Sequence, residues 1–338
     1  MTNRNNKRRP RVPAVGEHVW NLGDFLNQDI RQPAVLLEPW LRKSNQWMVH
    51  AAPGIGKTFF ALNVAYAVAS GGKHLLWKAM KPHAVLYCDG EMETWDMQER
   101  LSKMHRAALR DNNGQPEEAL KNFRGYAAMA QKEGELFPDL ATEDGLKKLL
   151  DKSKGVDLVV IDNLSTTMRT GEENDAAYWT NMQVALGELR KRGTAVLLVH
   201  HSNKQGDQRG TSAKDVTLNG KMRLEKQDGA MYRLEYEKHR SLSADQAPTV
   251  VAEMYEDDAG LPVWTHQTIA NNHQEFIRWL KSGECGTQAD IAEKMEVSAP
   301  YVAKLKAESI NFGIITQSEI NKHFQNAREA KNNEQGDF

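Results

Sequence analysis

Along the first two thirds of the chain, apolar residues fall in short continuous runs separated by stretches of helical spacing. This is the alternation of a parallel sheet whose strands are buried on both faces. Four runs predict such strands: Trp47 to His50, Ala84 to Cys88, Val156 to Ile161 and Ala195 to Val199. Phe59 to Ala69 predicts a buried helix that Gly71-Gly72 would end as a C-cap. Met97, Leu101, Met104 and Ala108 mark one face of an amphipathic helix over 94–110. Helices are predicted over 143–153 and 176–192, with a weaker strand over 123–129. Beyond residue 220 the period drops to two. Lys221 to Glu225 and Met231 to Glu237 flank Gln227-Asp228-Gly229 as a hairpin, and Thr249 to Tyr255 and Leu261 to Trp264 predict further antiparallel strands. Ahead of these elements, the apolar residues from Val19 to Leu41 predict an element packed on the neck of the domain.

After Ile269-Ala270-Asn271-Asn272 the pattern changes to short helices at Phe276 to Leu280, Thr287 to Met295 and Ala299 to Ser309. Their spacing is that of a helix-turn-helix, with Glu296 where the turn often has glycine, and Ile314-Ile315-Thr316 reads as the first strand of a wing. The predicted class is α/β: a mainly parallel core over 19–268 and a small winged helix-turn-helix over 272–320. A disordered basic arm over 1–18 (Arg4, Lys7, Arg8, Arg9, Arg11) and a polar, disordered tail over 321–338 complete the division.

Composition narrows the class. The 338 residues carry a formal net charge of -1, which excludes a protein that coats nucleic acid by bulk charge but leaves room for local basic loops. Two distant cysteines, no secretory leader and no apolar run near a membrane span predict a soluble, cytoplasmic protein with structural thiols.

The chemistry is carried at strand ends. Ala51-Ala52-Pro53-Gly54-Ile55-Gly56-Lys57-Thr58 between a strand and a helix is a phosphate-binding P-loop, with Ala51 in place of the usual first glycine. Pro53, Gly54, Ile55, Gly56, Lys57, Thr58 and Phe59 are the predicted nucleotide contacts. Lys57 would reach the β- and γ-phosphates of ATP, and Thr58 would place its hydroxyl on Mg²⁺. Glu91, at the end of a strand expected beside the P-loop strand, is the candidate base for the attacking water. Asp162 closes a run of four apolar residues in the Walker B form and would hold Mg²⁺ through water. His200 and His201 end the next strand, where a polar side chain can sense the γ-phosphate; the alternative is a pair of solvated strand-end histidines.

In order and kind these motifs resemble the RecA-type hexameric ATPases, and within them the plasmid RepA replicative helicases, over roughly residues 35 to 265. The matching positions are the P-loop, Glu91, Asp162 with Glu172-Glu173-Asn174 after it, His200-His201-Ser202-Asn203-Lys204, and Gln208-Arg209-Gly210-Thr211-Ser212. The resemblance implies that Glu91 activates water and that His200 or His201 couples the γ-phosphate to a DNA-facing loop. It also implies that Arg209 acts in trans as an arginine finger, and Lys238 and Arg240 look like the fingers of DnaB-like helicases. The bland alternative makes these three surface charges. The activity the resemblance implies is a ring-forming, hexameric ATP-dependent helicase or translocase for replication of a plasmid, phage or other mobile element, with single-stranded DNA in its pore. A regulatory ATPase whose winged helix, through Tyr301, Lys304 and Lys306, recognises duplex DNA or a protein is the second reading.

Overall fold

The computed structural model describes residues 19–133, 135–170, 176–202, 217–227, 230–269 and 271–335. The chain divides into two units, Met1–Gln32 and Pro33–Phe338. In the first, α1 (Leu22–Leu26) is capped by the Asn21 side chain, which accepts from the Asp24 amide, and none of its residues is buried. The apolar cluster predicted from Val19 to Leu41 is therefore divided: Trp20, Leu22, Phe25 and Leu26 are exposed, whereas Leu36, Leu37, Trp40 and Leu41 lie in the core of the second unit.

The second unit opens with β1 (Val35–Leu37), β2 (Leu41–Arg42) and β3 (Gln46–Ala51), followed by α2 (Lys57–Ser70) and a two-stranded ribbon, β4 (Lys73–His74) and β5 (Trp77–Lys78). Then come β6 (Val85–Asp89), α3 (Thr94–Arg110), α4 (Pro116–Asn122) and β7 (Phe123–Ala127). The next stretch is α5 (Glu143–Lys152), β8 (Leu158–Asp162), α6 (Leu164–Thr167), α7 (Ala176–Lys191) and β9 (Ala195–His201). The antiparallel strands are β10 (Gly220–Lys226), β11 (Met231–His239), β12 (Thr249–Glu256) and β13 (Pro262–Ile269). Helices α8 (Asn271–Lys281), α9 (Gln288–Lys294), α10 (Ala299–Asn311) and α11 (Gln317–Gln335) close the chain. Gly71 ends α2 in the left-handed conformation, as its C-cap role requires.

Among the described residues, nine strands form one sheet in the order β13-β12-β11-β10-β3-β9-β8-β6-β7. From β10 to β7 the pairs are parallel, and β10 to β13 are antiparallel. Period-two alternation sends Trp47, Val49 and Ala51 of β3 into the core under α2, and Met48 into the core under α5 and α7. The order corrects one expectation. β6 is not beside the P-loop strand β3; β9 and β8 lie between them, because helical crossovers separate order in the chain from order in the sheet.

The C-terminal helices share a core that includes Phe276, Leu280, Ile291, Val302, Leu305, Ile320 and Phe324. α9 and α10 meet through a helix-turn-helix whose turn residue, Glu296, takes the left-handed conformation at φ 54°. The predicted wing and tail are both corrected. At Ile314-Ile315-Thr316 no strand forms; Thr316 instead caps α11, its hydroxyl accepting from the Glu319 amide while the Glu319 carboxylate accepts from the Thr316 amide. α11 then runs to Gln335 and buries Phe324 and Ala327, through the stretch expected to be a disordered tail.

Candidate nucleotide site

Burial dictates the geometry around the P-loop. β3 delivers the chain to Ala51, and Gly54 (φ 77°) and Gly56 (φ 100°) turn it where a side chain would be strained. Gly56 caps α2 without any side-chain bond, so the first amides of this 14-residue helix face the cleft with their positive dipole end. Lys57 is 5% exposed, and its Nζ donates to the carbonyls of Ala51 (3.0 Å) and Ala52 (2.8 Å). Burial lowers its pKa to about 8, opposed by the charges of Asp162 and Glu91. A nearby anion would favour the charged form.

Asp162 ends β8 almost fully buried. Its carboxyl is pushed up to about 6 by desolvation, and hydrogen bonds from Tyr87 and Thr58 resist that rise. The Tyr87 hydroxyl donates to Asp162 Oδ2 at 2.6 Å. The Thr58 hydroxyl and the Asp162 carboxylate thus already meet beside Lys57. They are the hard oxygen pair that a divalent cation shared with phosphates requires. Among the described residues, no group of three or more His, Cys, Asp or Glu could hold a metal by itself.

Asp89, paired with Asp162 across β6 and β8, is a second buried carboxylate whose pKa burial raises. It accepts from the amides of Glu91 (3.0 Å) and Met92 (2.6 Å) and so shapes the turn that presents Glu91. Gly90 donates its amide to the Asp162 carbonyl at 2.8 Å. Glu91 is exposed at the cleft, its Oε2 accepting from Asn163 Nδ2 at 2.8 Å. The cleft, about 430 Å³, is lined by Gly56, Lys57, Thr58, Glu91, Asp162 and His201 among others. Beside it a 320 Å³ hollow is bounded by Phe59, Arg100 and Tyr232.

The structure therefore brings together Lys57, Thr58, Glu91, Asp162 and His201, with Gly54, Gly56 and Phe59 on the rim. Pro53 is exposed and Ile55 packs against the α2 core. His200 is not among them: alternation along β9 turns it to the opposite face, level with His50 of β3. Lys238 and Arg240 lie far from this P-loop. β11 runs antiparallel, so His239 pairs with Gly220, itself level with Trp47 at the start of β3, the end of the sheet remote from the loop. There the Arg240 Nε donates to the Leu218 carbonyl at 3.1 Å. Arg209, Glu172-Glu173-Asn174, Lys204 and Gln208 lie outside the described residues.

Sequence reasoning missed Asp89, Tyr87, Asn163, Arg100 and Tyr232. For Asp89 a signal existed, since it closes the same apolar run two residues before Glu91; Tyr232 has no local signature, because only the sheet order brings it to the P-loop.

A P-loop lysine, a buried strand-end aspartate and a carboxylate facing the same cleft, all at the C-terminal edge of a mainly parallel sheet, define a P-loop nucleotide site of the ATPase kind. The sequence matches the AAA domain family AAA_25 over residues 9–207, and the chain belongs to that family. No curated protein sequence matches it. Among solved structures it is similar to a KaiC-like protein of Pyrococcus horikoshii OT3 (13% identity, TM-score 0.45, 68% of this chain and 93% of that one). It is also similar to the flagellar accessory protein FlaH of Methanocaldococcus jannaschii (11%, 0.46, 68% and 90%). A third similar structure is the RadB recombinase (16%, 0.43, 63% and 88%). No helix of the described residues is long and apolar enough to cross a membrane.

Proposed function

We propose that this chain is an ATP-hydrolysing subunit of a hexameric ring that translocates on or unwinds DNA, for replication of a plasmid, phage or other mobile element. In this reading the α2 amides and the Lys57 ammonium bind the β- and γ-phosphates, and Arg100 and Tyr232 bound the space for the base. Thr58 and Asp162 would hold Mg²⁺, which when bound would supply positive charge against the phosphate oxygens. Glu91 orients the attacking water and takes its proton.

The observation that carries the ring is the separation of the charges. Lys238 and Arg240 stand at the end of the sheet remote from their own P-loop, so they can reach transferring phosphate only on another copy. Such a cation in trans is worth roughly 10³ to 10⁵ in rate. Mixing Lys57→Ala with Arg240→Ala subunits tests this: activity restored in the mixture supports a shared site, and two permanently dead variants refute it. Single-stranded DNA should stimulate hydrolysis, with binding that weakens steeply as salt rises.

A second reading, a regulatory ATPase switch that recognises duplex DNA or a protein partner, is favoured by the α9–α10 helix-turn-helix with its exposed Lys304. Removing residues 272–338 separates the two. A translocase keeps its DNA-stimulated hydrolysis, whereas a site-specific regulator loses recognition.

A further inference from the structure

On the α2 face of the sheet, where α2 and α3 end beside the β4–β5 ribbon and β13, lies a hollow of about 630 Å³. It is larger than the nucleotide cleft and within the size range of small-ligand sites. Tyr66, His74 and Trp264 give it aromatic surface, and Met80 and Met104 add thioethers. The His74 and Trp264 rings meet edge to face, their centroids 5.1 Å apart.

The polar groups around it decide the charge of an occupant. Helix C-terminal ends beside a hollow could offer carbonyl oxygens to a cation. Here the last carbonyls of α2 are engaged: Ala67 accepts from the Gly71 and Gly72 amides, Val68 from the His83 amide, Ala69 from Asn122 Nδ2 and Ser70 from the Gln115 amide. Asn113 gives both ends of its carboxamide to the Lys73 backbone, and the Asp111 carboxylate is paired with Arg110. Donors are left over. Lys73 and Lys78 are exposed at the rim and pair with no carboxylate among the described residues. Trp264 Nε1 and His74 Nε2 are buried without hydrogen-bond partners. His74 is 3% exposed, and burial holds its pKa down to about 3, so the ring is neutral. Among Phe60, Trp77 and Trp264, an unpartnered imidazole costs stability that a phenylalanine ring would not.

We propose that this hollow is a second small-molecule site, for a planar aromatic anion. Its ring would lie against Tyr66, His74 and Trp264, and its carboxylate, sulfonate or phosphate group would meet Lys73 and Lys78. The position of Trp264 makes the occupant an effector. Trp264 is stacked on Phe59 (centroids 5.8 Å apart, 23° between planes), and Phe59 bounds the smaller hollow beside the P-loop. Pro262 lines both hollows. A ligand in the larger hollow denies Trp264 that space and so holds Phe59 against a base bound on its other side. Two ligands sharing such a wall change each other's affinity by the same factor. The effector role rests on the reading that the base sits beside Phe59; the site itself does not.

Naphthalene-2-sulfonate is the test ligand, titrated by ligand-observed NMR with Mg²⁺ and ADP present to fill the nucleotide cleft. It should bind with a Kd of roughly 1 mM or tighter, and the cationic 2-naphthylmethylamine should bind about tenfold more weakly. The double variant Lys73→Gln/Lys78→Gln, both exposed positions, should lose roughly tenfold for the sulfonate at low salt and close the gap between the two compounds. In ¹³C-histidine spectra, with His74→Phe for assignment, the His74 resonance should move on titration. Equal affinity for anion and cation, sulfonate binding that survives in the double variant, or an unmoved His74 resonance overturns the site.

A fluorescent ADP reads the effector role. Its affinity should tighten about fivefold when the sulfonate is saturating, and Trp264→Leu, which leaves no ring to stack on Phe59, should abolish that response. An unchanged or weakened nucleotide affinity overturns the effector role. If no nucleotide binds at all, the reading of the P-loop cleft fails, while the sulfonate titration still decides the second site.

Discussion

Asp162 makes the nucleotide site a liability to the empty protein, and Asp162→Asn should expose that liability. Its carboxyl titrates at about 6 instead of 3.8 because burial opposes the charge. The native state therefore binds this proton more tightly than the unfolded chain does. By linkage, wild-type stability declines as pH rises from about 4 to about 6 and is level with respect to this group above that window. Two pH units correspond to ~3 kcal/mol at neutral pH. Asparagine mimics the neutral acid, retains an acceptor for the Tyr87 hydroxyl and never ionises. In the absence of Mg²⁺ and nucleotide, Asp162→Asn should thus melt roughly 4 °C above wild type at pH 7.5. The two proteins should converge below pH 4. Measured by calorimetry across pH, a variant no more stable than wild type at pH 7.5 would refute the reasoning. The same substitution should abolish Mg²⁺-dependent nucleotide binding, so stability and function would move in opposite directions.

Two further substitutions probe the same neighbourhood. Tyr87→Phe removes the 2.6 Å hydrogen bond that helps keep Asp162 ionised, so its pKa should climb further. The acid limb of Mg²⁺-nucleotide affinity should move to higher pH by about one unit; fluorescent-nucleotide titrations from pH 5.5 to 8 read this, and an unmoved limb contradicts it. Gly220→Ala would drive a Cβ into the Trp47 ring at the base of the P-loop strand. Overpacking of this kind should destabilise by about 1 to 3 kcal/mol, read as a lowered melting temperature with the Walker residues untouched.

What was legible in the sequence is what is local in the chain. The P-loop needs only a strand, two glycines and a helix start in succession, and Lys57, Thr58 and Asp162 announce themselves by their neighbours. The Asp-Gly hairpin and its two strands were equally plain. Sheet order was not. Nothing near Glu91 says that two strands separate it from the P-loop strand, and the bonds joining Glu91, Asn163 and His201 span three strand ends. The face of His200 follows from a one-residue alternation that a pair of adjacent histidines leaves open. The wing failed for a different reason. Ile314-Ile315-Thr316 carries strand propensity, but Thr316-Gln317-Ser318-Glu319 is a capping box, and the local start signal for α11 outweighs three β-branched residues. Likewise, Pro116 followed by Glu117 and Glu118 marks the start of α4, a helix its polar flanks concealed.

The placement of the P-loop at one end of the sheet and of Lys238 and Arg240 at the other has a consequence in symmetry. In the proposed assembly, a contact between one copy's remote end and another's phosphates would join unlike surfaces, so it could not be completed by a two-fold pair, in which the same patch meets itself. Each copy added in this way carries a fresh free end. The series closes only if the rotation between neighbours divides a full turn, and otherwise continues as a helical filament. The number of subunits is then written in the angle of the contact, while the chemistry of each site is the same in a closed ring and in an open thread.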